Sequence, residues 1–146
     1  MNQDFVEMLS ALSGTGTEFL VVGAHALAVH ARPRATGDLD IWLHGTPESA
    51  ERARRALREF GAPLGQISRA ELSVPGLVFQ LDVVPNRINL LTSVTGLDFA
   101  GASSRRSTLK IGELTVPVLG KADLIVNKRA VGRPQDLADV AELERL

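Results

Sequence analysis

Helical and strand-like stretches alternate along this chain, and that alternation predicts an α/β fold, an α+β arrangement in which helices flank a small mixed sheet and two helices close the C-terminal end. Three observations carry the prediction. Phe5, Met8, Leu9 and Leu12 recur at helical spacing, Phe19–Val22 and Leu77–Val84 are short β-prone runs, and residues 121–145 read as two helices split by Gly132-Arg133-Pro134.

The first helix covers 4–13 and ends at Gly14-Thr15-Gly16-Thr17. A buried strand, 19–22, runs into Gly23. A short helix from Ala24 to Ala31 stops at Arg32-Pro33, because a residue before proline avoids helical geometry. Residues 38–43 alternate at first, as a half-buried strand does. Pro47–Phe60 is a helix with Thr46 as N-cap, Pro47 at its first position and Gly61 after its end. The strand at 77–84 is closed by Pro85, and residues 85–108 show no clear period. Residues 108–111 and 114–119 form a hairpin about Gly112-Glu113, and helices at 121–131 and 134–145 follow. No repeat, low-complexity tract or linker divides the chain, so 1–146 is expected to be a single domain.

Composition narrows the function classes. With 45% apolar and 23% charged residues, the 146-residue chain has a globular balance, and a disordered tail, a collagen-like fibre and a membrane-spanning protein are excluded. A net charge of −1 gives no global field for nucleic acid, so any bound anion needs a local cluster or a metal ion. There is no cysteine, which removes disulfides, zinc-thiolate centres and thiol nucleophiles. The start Met1-Asn2-Gln3-Asp4 lacks the basic residues of a signal peptide, and a cytoplasmic location is expected.

The chemistry-bearing residues lie around two strands. Asp38 and Asp40 are two apart on one strand, so both carboxylates leave the same face. Side by side they repel, and they call for water or a divalent cation. Asp82 lies inside another apolar strand. If that strand pairs beside the first, three carboxylates converge as in a two-metal site. The strand–Gly23–helix turn upstream offers backbone N–H groups to a phosphate. A phosphate clamp beside a metal pair is the apparatus of phosphoryl or nucleotidyl transfer. Taken alone, Asp82 also reads as a strand-end acid paired with an arginine, and Lys128, Asp136 and Asp139 also read as a structural salt-bridge cluster. His25 and His30 are five apart, the wrong spacing for two ligands on one helix face. Arg52, Arg54, Arg55 and Arg58 form a basic helix with Glu48, Glu51 and Glu59 interspersed, as on a solvated helix face.

The run LVVGAHALAVHARPRATGDLDIWL resembles the signature of the DNA polymerase β-like nucleotidyltransferase superfamily, a glycine turn followed by Asp-x-Asp with a third acid on a later strand. Gly23, Asp38, Asp40 and Asp82 match those elements. GAHA from Gly23, Arg34-Ala35-Thr36 and RPQDLAD from Arg133 resemble the small bacterial branch that includes abortive-infection nucleotidyltransferase toxins. The resemblance implies the polymerase β-like fold and transfer of a nucleoside monophosphate from an NTP to a hydroxyl of a protein, a tRNA or a small molecule, with release of pyrophosphate. It implies two Mg²⁺ ions held by Asp38, Asp40 and Asp82, with Asp82 helping to deprotonate the acceptor. Gly23, Ala24, His25 and Thr36 would meet the nucleotide, Lys128 would reach the triphosphate, and Asp136 would hold that lysine. A toxin–antitoxin role would bring an antitoxin, and the small size calls for a partner chain or a homodimer to complete the site. Ala24 stands where the family has a second glycine or serine, and Gln135 where it has a lysine. Those departures admit a catalytically inactive nucleotide-binding or regulatory module. A metal-dependent glycosyltransferase also uses Asp-x-Asp, but leaves Gly23 and Asp82 unexplained.

Overall fold

The computed structural model describes residues 1–31 and 37–146. Helix α1 (Gln3–Gly14) buries Phe5, Met8, Leu9 and Leu12, the stripe expected from their spacing, and Asn2 caps its start by accepting from the Asp4 N–H. Strand β1 (Phe19–Val22) is buried throughout and passes directly into helix α2 (Gly23–His30). His30 fixes the end of that helix, its Nε2–H donating to the Leu119 carbonyl at 2.8 Å. Strand β2 is Asp38–Leu43 and helix α3 is Pro47–Phe60. The caps of α3 are those expected: Thr46 accepts from the Ser49 N–H, and Gly61 takes the left-handed conformation at φ 93°. A cap such as Thr46 contributes about 1 kcal/mol to helix stability.

Between α3 and the next strand lie a 3₁₀ turn (Leu64–Gln66) and the one-turn helix α4 (Arg69–Leu72), closed by a reciprocal Ser68–Glu71 capping box. Strand β3 (Val78–Val83) turns back at once into β4 (Asn86–Leu91), and helix α5 is Phe99–Ser104. Strands β5 (Ser107–Ile111) and β6 (Leu114–Val118) form the expected hairpin, followed by α6 (Lys121–Val131) and α7 (Pro134–Arg145). Four elements were absent from the expected order: the 3₁₀ turn and α4 between α3 and β3, and β4 and α5 inside the stretch without a clear period.

The six strands form one mixed sheet in the order β3-β4-β2-β1-β6-β5. Strand β2 is antiparallel to β1 and parallel to β4, and β3 is antiparallel to β4. Register partners share a face, so the pairings sort the side chains. Leu39, Ile41 and Leu43 share one face with Val21, Ile88 and Leu90, all buried, and belong to the same core as the inward residues of α1 and α3. The opposite face carries Asp38, Asp40 and Trp42, with Arg87, Asn89 and Leu91 opposite them on β4. The sheet therefore has one apolar face and a second on which the polar residues of β2 and β4 stand beside buried Trp42.

This register corrects one expectation. The strand of Asp82 does not pair with the strand of Asp38 and Asp40, because β4 runs between them. The sequence offered no strand at 86–91 to fill that place, so the neighbour of β2 was misassigned.

Candidate active site

Asp38 and Asp40 leave one face of β2 as the alternation requires, each partly buried. Asp40 is opposite Val22 on β1, so its carboxylate reaches the turn where β1 becomes α2. Gly23 makes that turn at φ 66°, in the left-handed region where a side chain is strained. A Cβ built on Gly23 would fall on Asp40 Oδ2 and lie 3.1 Å from Asp40 Cγ. Glycine is thus required twice over, by its backbone angle and by the carboxylate. Among the described residues no side chain caps the start of α2, which leaves its first N–H groups without a side-chain cap there.

The other oxygen of Asp40 has a fixed partner: Asn89 Nδ2 donates to Asp40 Oδ1 at 2.8 Å across the β2–β4 pair. Asn89 Oδ1 is buried and meets no partner among the described residues. Two carboxylates and an amide oxygen are hard oxygen donors of the kind Mg²⁺ takes. The orphaned Asn89 oxygen fits a cation at this place.

Gly23 and Asp40 line a cavity of about 230 Å³. Its far wall is built by α6, α7 and the segment after β4, through Lys128, Arg133, Asp136, Asn127, Ser93 and Thr95. Lys128 is almost fully enclosed, with Nζ 2.9 Å from Asp139 Oδ2 and 3.5 Å from Asp136 Oδ1. Arg133 Nε donates to Asp136 Oδ2 at 2.6 Å, and Gln135 Nε2 donates to Asp139 Oδ1 at 2.8 Å. The Arg133 hydrogen bond, against the cost of burial and with Lys128 nearby, holds the Asp136 carboxyl below the usual carboxylate range. Gln135, where the resembled branch has a lysine, therefore supports Asp139 and not a phosphate directly.

Of the residues expected in the site, the structure brings Gly23, Asp40, Lys128 and Asp136 to one cavity. Asp38 shares the face of Asp40 but lies outside the cavity wall, as do Ala24 and His25. The His25 ring packs edge-on against Phe5 with centroids 5.7 Å apart, and its Nε2 is buried without a partner among the described residues. Burial pushes its pKa down, opposed by the Asp40 charge and by a hydrogen bond from the ring to the Asp38 backbone. Arg34, Ala35 and the expected nucleotide contact Thr36 lie outside the described residues.

Asp82 does not join the carboxylate pair. It stands in one row with Arg87 and Asp38, two strand spacings from Asp38, or about 10 Å. Its side chain is 78% exposed and pairs with Arg87 Nε at 3.5 Å. Among the described residues, no three His, Cys, Asp or Glu side chains group as a metal site. The three-carboxylate centre is therefore corrected to two carboxylates with Asn89 beside them. Asn89, Ser93, Thr95 and Asn127 were missed by sequence reasoning. For Asn89 the available signal was its place between Ile88 and Leu90, a polar residue alternating with two buried ones.

A protein of Thermotoga maritima described as a putative nucleotidyltransferase is similar in structure, with a TM-score of 0.62 over 98% of this chain and 88% of that one. This chain shares its fold. Identity between the two is 15%, so the likeness is one of backbone architecture. No model of a known protein family matches the chain, and no curated protein matches it in sequence. Among the described residues, no helix is long and apolar enough to cross a membrane.

Proposed function

We propose that this chain transfers a nucleoside monophosphate from a Mg²⁺-bound NTP to an acceptor hydroxyl and releases pyrophosphate. The observation that carries the reading is the meeting, in one cavity, of the Gly23 turn, the Asp40 carboxylate and the enclosed Lys128. The shared fold with the Thermotoga maritima protein supports it.

Asp38 and Asp40 would hold Mg²⁺, which when bound offsets phosphate charge and favours loss of the acceptor proton. The uncapped N–H groups of α2 would receive phosphate oxygens. Lys128 and Arg133 would add positive charge at the pyrophosphate end, with Asp136 and Asp139 fixing the lysine. As the acceptor oxygen bonds to the α-phosphorus, the bond from that phosphorus to the bridging oxygen breaks, pyrophosphate departs with its electron pair, and the hydroxyl proton passes to water. The acceptor, whether protein, tRNA or small molecule, and a toxin–antitoxin setting with an antitoxin or partner chain belong to the same proposal.

The pairing of Asp82 with Arg87, away from Asp38 and Asp40, favours a second reading: a module that binds Mg·NTP without transferring it. One experiment separates the two. The protein is incubated with each α-phosphate-labelled NTP, Mg²⁺ and a cell extract. Label moved to an acceptor supports transfer. Metal-dependent NTP binding without transfer supports the module, and neither binding nor transfer overturns both.

A further inference from the structure

We propose that Asn89 is the third, neutral ligand of the cation site of Asp38 and Asp40, binding the ion through Oδ1. The inference rests on the cation site of the proposed function and assigns it a ligand set. Strand β4 places Asn89 opposite Asp40 on the same face, and Nδ2 donates to Asp40 Oδ1 at 2.8 Å. That donation uses the amide nitrogen and leaves Oδ1, a buried acceptor without a partner among the described residues. A buried amide oxygen next to the Asp40 carboxylate, on the sheet face that also carries Asp38, has a complement in a hard cation, since leaving it unpaired is costly. The alternative third ligand is unsuited: Asp82 is a strand further out, exposed and paired with Arg87. An amide in place of a third carboxylate makes the empty site one unit less negative, so Asp38 and Asp40 repel each other with no third charge added.

The chain has no cysteine, which makes the test specific. Asn89→Cys introduces a single thiol, and a thiolate that takes the place of a direct ligand favours a soft ion such as Cd²⁺. The Cd²⁺-titrated variant is expected to show a thiolate-to-cadmium charge-transfer band. The band should disappear when Asp38→Asn and Asp40→Asn are added. Gln80→Cys, at the register partner of Asn89 on β3, should give no band that depends on the aspartates. In parallel, Asn89→Ala should weaken Mn²⁺ binding, followed by paramagnetic resonance, by about tenfold or more. Wild-type Mn²⁺ affinity in Asn89→Ala, or no aspartate-dependent band in Asn89→Cys, overturns the assignment of Asn89 while Mn²⁺ binding that needs Asp38 and Asp40 keeps the proposed site. Failure of the unsubstituted protein to bind Mn²⁺ through those aspartates overturns both.

Discussion

The carboxylate of Asp40 occupies the space that a side chain on Gly23 would need. The Gly23 turn and the Asp40 carboxylate are thus a single packed unit, and neither can change without the other. Gly23→Ala forces a left-handed backbone angle on a residue with a Cβ, at a cost of about 1–2 kcal/mol. It also displaces Asp40. The variant is expected to lose that stability in denaturant unfolding and at least about tenfold in Mg·ATP affinity. An unchanged affinity in calorimetry would detach the turn from the site.

Lys128 has a structural task in addition to its place in the cavity wall. Its ammonium group lies between Asp136 and Asp139, whose side chains are each 4% exposed. Removing the lysine leaves two buried carboxylates with less compensation, a change that costs about 3–5 kcal/mol for a buried pair. Lys128→Ala is therefore expected to lower the melting temperature clearly, contrary to the behaviour of an exposed cation. Asp139→Asn added to it should recover part of the stability. NTP affinity that stays low in this double variant would report the phosphate contact, and affinity restored with stability would assign Lys128 to the fold alone.

What the sequence disclosed depended on how local the determining interactions were. The α1 stripe, the Thr46 and Gly61 caps and the break at Gly132-Arg133-Pro134 are set by neighbours a few residues apart, and each was legible. The spacing of Asp38 and Asp40 was legible for the same reason. The position of Asp82 was not, because it depends on which strand enters between β3 and β2, a pairing across the chain. Strand β4, Asn-Arg-Ile-Asn-Leu-Leu, directs only Ile88 and Leu90 into full burial, too brief a signal beside the polar residues flanking it. His25 was legible as part of the turn but not as a ring facing Phe5, since α1 and α2 meet only in three dimensions.

The acid limb of stability should depend on Arg133. Its hydrogen bond depresses the Asp136 pKa in the folded chain, so the folded state binds fewer protons than the unfolded state near the ordinary carboxylate range. The resulting stability is present above the unfolded pKa, whose ordinary value is 3.8, and is lost as pH falls through the lower folded value. Arg133→Gln removes the main cause of the depression. Its acid unfolding midpoint should move toward neutral pH, while Lys128 still stabilises the charged form in part. A midpoint identical to wild type in a circular dichroism pH titration would show that the ion pair is not coupled to folding.

Asp82 gives the clearest separation between the sequence-derived site and the one in the structure. As a third metal ligand and base, it would be indispensable to transfer. In the structure it is an exposed acid on the outer strand β3, held by Arg87, with that arginine between it and Asp38. An exposed pair of this kind contributes at most about 1 kcal/mol, equivalent to about fivefold in a rate or affinity. Asp82→Asn is therefore expected to keep metal-dependent NTP binding and single-turnover transfer within about fivefold of wild type. Asp40→Asn, measured beside it, should lose both, because Asp40 faces the cavity and Asp82 does not. A transfer loss of about a hundredfold in Asp82→Asn with binding retained would mark it as a general base. Strand β3 would then have to bring that carboxylate past Arg87 to the acceptor in the working complex.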